Sequence, residues 1–272
     1  MPYRQAHWYL LAIFPLAGLA FWQSYFSHFA AAPMAFHAHG MTASLWLTLL
    51  TVQSWTIHHE RSGLHRQLGL GSLALFPLFL AGGATIFVGM AQRFVGQVAP
   101  FYTIYAPRLA WLDVVAVAGF AYCYFQALRQ RQKVHPHSRY MLSTVFFLLP
   151  PILGRLAPAL PPLTPSGPSD FWKLGVGFQL ANAIAAGIPF FLAWRAPKQG
   201  RPFLEVGALI VSGAILYQTV GAAAVWRNLF AQAANIPAPA LAIVAGVAGA
   251  LIGYAGWIAG KRQITPPGTV PA

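Results

Sequence analysis

Histidines are the residues of this sequence best able to do chemistry. Nine occur in 272 residues, and five of them lie between positions 37 and 65. Imidazole nitrogens bind Zn, Cu and Fe readily, so these positions are candidate ligands for a metal or a haem. An apolar interval separates His37 and His39 from the next histidine, His58. At about 1.5 Å per helical residue, 19 residues from His39 to His58 span roughly 28 Å. We therefore expect two separate sites, one on each side of a membrane.

The second group of histidines surrounds the two basic connections of the chain. The segments "HHERSGLH" and "HPH" together supply enough imidazoles for three or more ligands of a transition metal. The competing interpretation is that histidines collect in loops at the lipid headgroup level, as arginine and lysine do. The candidate metal ligands are His58, His59, His65, His135 and His137.

Haem b is the second cofactor that the histidines suggest. It requires two axial ligands from facing helices. His28 ends the first apolar stretch and His39 begins the second, so their side chains are candidates for such a pair. His65 and His137 are the corresponding candidates on the other side. This hypothesis makes the chain a cofactor-binding protein that exchanges electrons with quinone.

Asp113 and Arg155 are ionisable residues inside apolar stretches, where a charge is costly and is functional by default. Counting at 1.5 Å per residue places Asp113 about 9 Å below one membrane boundary and Arg155 about 8 Å below the same boundary. They lie on consecutive stretches, and we therefore expect them to form an ion pair.

Other polar residues fall at a similar depth by the same count. Together with Asp113 and Arg155 they predict a polar cavity that opens outward; the alternative is a set of separate interhelical hydrogen bonds, each worth about 0.6 kcal/mol. His39, Trp46 and Gln53 are spaced by seven and share one helix face, which we expect to face the bundle. The predicted cavity residues are Gln23, Trp46, Gln53, Gln179 and Gln218.

The elements that must position these residues are apolar helices. Of the 272 residues, 57% are hydrophobic and 8% are charged, whereas a soluble chain carries about 25% charged residues. About 20 apolar residues cross a membrane. We therefore expect an all-α polytopic bundle in one domain over 1–260, with a disordered cytoplasmic tail over 261–272. Eight stretches qualify: roughly 8–30, 36–57, 68–91, 108–128, 140–160, 171–194, 203–226 and 238–260.

Lysine and arginine predict the orientation. With a cytoplasmic N-terminus, 12 of the 17 basic residues lie inside, as the positive-inside rule requires. We expect both termini in the cytoplasm of a bacterium and the bundle in its inner membrane; a count of seven helices, with the last segment re-entrant, is the alternative. The net charge of +13 is dispersed between apolar runs, which argues against nucleic acid as a partner.

Three short boxes resemble a known group of proteins. They are "LHRQLG" at 64–69, "LD" at 112–113 and "HSRYMLSTVFFLLPPILGRL" at 137–156. Their order and spacing resemble a widespread group of uncharacterised bacterial multi-pass membrane proteins, over about residues 35–156. The resemblance implies a membrane bundle and no particular activity. His58, His59 and His135 depart from the group's pattern. The matching positions are His39, His65, Arg66, Gly69, Asp113, His137, Arg139, Met141 and Arg155.

Three functions stay open at this point. The first is the cofactor-binding protein with haem b or a metal, with lipid or quinone as further ligands. The second is a pathway for a small molecule or a proton through the cavity around Asp113 and Arg155. The third is an accessory subunit of a larger membrane complex or a homo-oligomer. The sequence contains no phosphate-binding glycine loop, no HExxH and no serine elbow, so it leaves open whether the protein is an enzyme.

Overall fold

The computed structural model describes residues 3–261, and these form an all-helical protein. Helices account for 85% of these described residues, and no strand occurs among them. The predicted tail beyond residue 261 lies outside the described residues. The α-helices are α1 (Ala6–Phe21), α2 (Met34–His58), α3 (Ser62–Val95), α4 (Pro100–Arg129), α5 (Val134–Ser143), α6 (Leu149–Leu156), α7 (Trp172–Arg195), α8 (Arg201–Gln218), α9 (Ala224–Gln232) and α10 (Ala238–Lys261).

Five helical segments are long and apolar enough to cross a membrane. Large apolar side chains on their outer faces are exposed, among them Phe191 and Trp194 on α7 and Leu251 on α10, as expected of surfaces that face lipid. By these features the chain is a multi-pass membrane protein. The five segments are Ser62–Val95, Pro100–Arg129, Val134–Ala159, Pro168–Arg195 and Ala238–Lys261. Eight crossings and the direction of the termini remain predictions.

The first apolar stretch forms a shorter helix than the sequence predicts. We expected a helix over 8–30, but α1 ends at Phe21 and a 3-10 helix, Phe26–Ala31, follows a turn. Short polar side chains in "QSYFSH" compete for backbone groups and favour turns; the Ser27 hydroxyl donates to the Gln23 carbonyl at 3.2 Å. Gln23 and His28 therefore lie outside α1.

The seventh stretch is interrupted in a similar way. The predicted helix over 203–226 is wrong, because α8 ends at Gln218 and α9 begins at Ala224. The connection passes very close to α4 at Gly221, where an added Cβ would lie 3.0 Å from the Arg108 Cα atom. Only glycine permits that approach, and this contact between Gly221 and α4 determines where α8 ends.

The fifth stretch changes its helical form half-way. A 3-10 helix, Thr144–Leu148, joins α5 to α6, and Pro150 and Pro151 lie in the first turn of α6. Proline has no amide hydrogen, and an α-helix accommodates it best in its first turn. The proline pair therefore ends one helical run and starts another, and it gives the segment the geometry that places Thr144 and Arg155.

Candidate functional site

Trp46 lies at the centre of the bundle and is fully buried. Its ring is 5.0 Å from the Phe120 ring of α4, and its Nε1 atom donates to the Thr144 hydroxyl at 3.1 Å. This one side chain therefore joins α2, α4 and the 3-10 helix at a single level. We call the rings around it the aromatic layer: Trp46, Phe76, Phe79, Phe120 and Tyr124.

His39 and Asp113 lie at the same height above the aromatic layer. His39 is seven residues before Trp46 on α2, and Asp113 is seven residues before Phe120 on α4. Each helix is antiparallel to α3, so they run in the same direction, and seven residues correspond to about 10.5 Å. The spacing of seven also returns to the same helix face. Both side chains therefore lie on the faces that bury the layer.

The guanidinium of Arg155 reaches the same level from a third element. Pro151 is seven residues after Thr144 on a segment that runs opposite to α4. The Nη1 atom of Arg155 donates to the Pro151 carbonyl at 3.0 Å, and the guanidinium lies 4.3 Å from the centre of the Phe21 ring. The arginine is thus held back toward the level of His39 and Asp113.

Asp113 and Arg155 are ionisable residues of α4 and α6. Both are surrounded by protein atoms, and both are nevertheless exposed to a water-sized probe. Asp113 lies on the same face of α4 as the buried Phe120. We infer from this a space between His39, Asp113 and Arg155, and we call it the Asp113 cavity.

Arg155 is the electrostatic centre of the cavity, because its charge acts on both Asp113 and His39. The direct Asp113–Arg155 ion pair that the sequence predicts is not formed: the two lie as neighbours across the cavity, further apart than the 4.0 Å of an ion pair. The ion pairs within residues 3–261 are Lys173–Asp170 and Arg201–Glu205.

The cavity walls offer hydrogen-bonding capacity that other protein groups do not use. The Nδ1 atom of His39 is buried and has no partner among the described residues. Within the same range, the Asp113 carboxylate takes part in no side-chain hydrogen bond, and Arg155 uses only its Nη1 atom. A buried polar group without a partner costs about 1–3 kcal/mol, so this arrangement is suited to receiving a polar ligand.

Tyr102 is a further polar residue of α4 that sequence reasoning missed. It precedes Asp113 by eleven residues, or three helical turns, on the same face of α4. Its hydroxyl accepts a hydrogen bond from Arg93 Nη1 at 2.7 Å, and it acts electrostatically on Arg155. The spacing of eleven was the signal that could have found it.

A second polar region lies on the other side of the aromatic layer. Gln53 Nε2 donates to the His65 carbonyl at 2.9 Å, and His65 Nδ1 donates to the Gln53 carbonyl at 3.3 Å. His137 Nδ1 donates to the Ala127 carbonyl at 2.9 Å. A carbonyl only accepts, so both Nδ1 atoms carry the hydrogen, and in the neutral rings both Nε2 atoms carry the lone pair. His65 lies close enough to His137 to act on it electrostatically.

The five predicted metal ligands do not form one cluster in the structure. His58 and His59 donate to the carbonyls of their own helix, and His59 stacks on Trp55 at 4.5 Å. His135 is exposed. Within residues 3–261, no group of three or more His, Cys, Asp or Glu side chains is close enough to hold a metal ion. His65 and His137 are the two that come together.

The predicted facing pair of His28 and His39 has separate surroundings. His28 is exposed and bonds to the Ser27 hydroxyl at 2.8 Å, while His39 packs on the Phe79 ring at 5.7 Å. His37 bonds instead to the Tyr25 hydroxyl at 2.8 Å. In the described part of the chain, the histidines at this end therefore have three different environments.

The predicted cavity glutamines also lie apart. Gln53 lies beyond the aromatic layer and Gln23 is exposed in the turn after α1. Gln179 and Gln218 line a groove on the flank of the bundle, between α4, α7 and α8. Counting residues gives the height of a side chain along a helix but not the direction in which it points. The glutamines predicted to line one cavity therefore lie in three separate places.

Two polar regions thus lie on opposite sides of one aromatic layer. The Asp113 cavity holds groups of both charge signs, and the His65–His137 region holds two imidazole nitrogens with free lone pairs. No family model, no curated protein and no solved structure is similar to this chain.

Proposed function

We propose that this protein is a membrane transport protein that passes a small polar solute or a proton through the Asp113 cavity. One observation carries the proposal: three ionisable groups, His39, Asp113 and Arg155, lie within the helical bundle with most of their hydrogen-bonding capacity unused. Ionisable residues within a membrane mark substrate or proton pathways by default.

The chemistry of the three groups suits a zwitterion or a proton. The guanidinium of Arg155 presents donors in a planar fork that matches a carboxylate. Asp113 accepts an ammonium group or a proton, and the unpaired Nδ1 atom of His39 offers a further hydrogen-bonding position. The basic residues of the loops support an orientation in which the cavity opens to the outside, with the protein in a bacterial inner membrane.

The aromatic layer acts as the gate in this proposal. Trp46, Phe76 and Phe120 are fully buried, so in this proposal a solute crosses only when the layer moves. The hydroxyls of Ser72 and Tyr124, 2.8 Å apart, are the next polar groups on the path through the layer. The Gln53–His65 pair lies on the far side of the layer. These polar groups offer the next positions for a proton or a polar solute.

Reconstitution into liposomes tests the proposal with two probes, proton flux by an internal pH dye and uptake of radiolabelled amino acids. We expect one of the two fluxes to exceed that of empty liposomes, and Asp113→Asn and Arg155→Gln each to reduce it at least tenfold. Asp170→Asn is the matched control, because Asp170 binds Lys173 in a loop away from the cavity.

Two results would overturn this function. One is the absence of both fluxes in correctly folded protein. The other is recovery of stability and flux in the Asp113→Asn, Arg155→Gln double variant when each single variant is unstable, because such coupling is the signature of a structural pair.

We propose cofactor binding at His65 and His137 as the second candidate function. Its support is the hydrogen bond from each Nδ1 atom to a backbone carbonyl, because such a bond fixes the tautomer and orients the other nitrogen of ligating histidines. Haem b, or a metal completed by further ligands, would supply electron exchange with quinone. These two histidines would hold the group through their Nε2 atoms.

An absorption spectrum of the purified protein, oxidised and dithionite-reduced, with elemental analysis of the same sample, tests this candidate. We expect a b-type difference spectrum or a stoichiometric metal, lost in His65→Ala and in His137→Ala and kept in the control His135→Ala. A colourless, metal-free sample from cells supplied with haem and metals would remove the candidate and leave the transport proposal untouched.

A further inference from the structure

The groove on the flank of the bundle has the dimensions of a lipid site. It consists of two adjoining spaces of about 560 Å³ and about 430 Å³, which share Gln179 and Gln218. We call them together the flank groove. The first space lies near the starts of α4 and α7, and the second follows α7 and α8 toward the middle of the bundle.

The flank groove carries a charged side chain at one end and none at the other. The first space contains Arg108, the Tyr105 ring and Trp172. The second is lined by four small or branched apolar residues, among them Ala183 and Ile215, and by four uncharged polar residues, among them Asn182 and Thr219. Trp172 is 60% exposed and Ile215 is 59% exposed, so the groove opens sideways onto the bilayer. An amphiphile with its head at Arg108 and its tail along α8 fits this pattern.

Arg108 makes the polar end positive. Its Nη1 atom donates to Gln218 Oε1 at 3.4 Å, and its guanidinium lies 5.8 Å from the centre of the Tyr217 ring. Its Nε atom is buried without a hydrogen-bond partner among the described residues. In the same range, no carboxylate forms an ion pair with it.

The carboxylate on the neighbouring loop does not neutralise Arg108. Asp170 binds Lys173 Nζ at 2.8 Å and the Ser166 hydroxyl at 2.6 Å. A guanidinium inside a membrane is expensive unless it is paired. The complementary group is therefore an anion that comes from outside the described chain.

The depth of Arg108 matches a lipid phosphate. The 30 residues of α4 extend about 45 Å, against about 30 Å for the hydrocarbon core. A helix centred in the bilayer projects by about 7 Å at each end, and Arg108 is about 12 Å from the first residue, Pro100. Its Cα atom is then only about 5 Å inside the hydrocarbon boundary, and its long side chain reaches the headgroups.

We propose that the flank groove binds an anionic phospholipid, with its phosphate at Arg108 and one acyl chain between α7 and α8. Arginine pairs with phosphate oxygens through two parallel hydrogen bonds, and Gln218 and Gln179 supply further polar contacts nearby. The acyl chain covers Val211 and Ile215, which otherwise face the bilayer without a fixed neighbour. The inference does not depend on the transport proposal.

The test measures lipid retained by the delipidated full-length protein in detergent after incubation with phosphatidylglycerol or phosphatidylcholine of identical chains, by native mass spectrometry. We expect wild-type protein to retain phosphatidylglycerol at least tenfold better. Arg108→Gln should lose that preference. Arg227→Gln is the matched control, since Arg227 stacks on Phe94 at 5.2 Å outside the groove, and it should keep the preference.

A second variant keeps the test decisive if Arg108→Gln does not fold. Ala183→Phe fills the apolar part of the groove from an exposed position and leaves Arg108 in place; we expect it to lower retention of phosphatidylglycerol at least fivefold. Equal retention of the two lipids, retention unaffected by either variant, displacement by inorganic phosphate alone, or a bound quinone in place of phospholipid would overturn the proposal.

Discussion

His39 and Gly82 meet at a close crossing of α2 and α3. A Cβ atom added to Gly82 would lie 3.1 Å from the His39 Cα atom and 3.0 Å from Thr42 Oγ1. Backbone therefore packs against backbone at this point, as small residues allow between membrane helices. The position of one wall of the Asp113 cavity is set by the absence of a side chain on the neighbouring helix.

Gly82→Ala should consequently destabilise the protein and shift His39. Overpacking a close contact costs about 1–3 kcal/mol, since Thr42 and the α2 backbone have to move away. Thermal unfolding in detergent measures the loss. The control is Gly89→Ala on the same helix, where the added Cβ meets nothing within 4 Å and alanine favours the helix. Equal stability of the two variants would contradict the close crossing.

A cysteine at position 113 should react with a charged, water-soluble thiol reagent. Native Cys123 is fully buried and can be replaced by alanine to give a cysteine-free background. In that background we expect rapid labelling of Asp113→Cys, because the cavity admits water and thiolates form there. Sidedness of labelling in oriented vesicles also reports which way the cavity opens.

Two control positions define the result of that labelling experiment. Ala110→Cys replaces a fully buried residue on α4, and Val247→Cys replaces an exposed, apolar residue on α10. Both should stay unreactive, the first for lack of access and the second because a thiol in lipid remains protonated. Labelling of Ala110→Cys as fast as Asp113→Cys would mean that α4 is loosely packed rather than lining a cavity.

The hydrogen bond between Trp46 and Thr144 should couple α2 to the 3-10 helix. We expect a coupling energy of about 0.5–1.5 kcal/mol in the double-mutant cycle of Trp46→Phe and Thr144→Val, the usual net value of one hydrogen bond. Chemical or thermal unfolding in detergent provides the four stabilities. Trp194→Phe, at a 73% exposed position, should change stability by less than about 0.5 kcal/mol. Additive single effects would exclude the bond.

The hydrogen bonds from Tyr140 and Tyr122 to Glu205 should contribute more to stability than its ion pair with Arg201 does. Its Oε2 atom accepts from the Tyr140 hydroxyl at 2.8 Å and from the Tyr122 hydroxyl at 3.0 Å, whereas Arg201 contacts Oε1 at 2.7 Å from a side chain that is 83% exposed. Hydrogen bonds to a charged group contribute about 1.5–3 kcal/mol, while exposed ion pairs contribute about 0–1 kcal/mol.

Tyr140→Phe should therefore lower the free energy of unfolding by more than Arg201→Gln does. Both variants keep the volume of the side chain close to that of the original, so the comparison isolates the polar contact. Unfolding measured at low and high salt separates them further, because screening weakens only the exposed pair. A larger loss in Arg201→Gln would show that the ion pair, not the tyrosine hydroxyl, holds Glu205.

Much of the helical architecture follows from the sequence. Apolar runs of membrane length predict α2, α3, α4, α7 and α10, because in lipid every backbone polar group has to be satisfied within the helix. The spacing of seven predicted that Trp46 and Gln53 face the bundle, and both are buried. Residue counting brought Asp113 and Arg155 to a common depth, since a helix rises by a constant distance per residue.

The tertiary structure alone decided which of these side chains share a space. Depth does not give direction around a helix, so Gln179 and Gln218 belong to the flank groove rather than to the Asp113 cavity. Hydrogen bonds to carbonyls of neighbouring helices hold His65 and His137 in the same region, apart from the other histidines. Contacts such as that of Gly221 with α4 determine where helices end. The sequence determines helices through local hydrogen bonding and hydrophobicity; the sites depend on packing between segments distant in the chain.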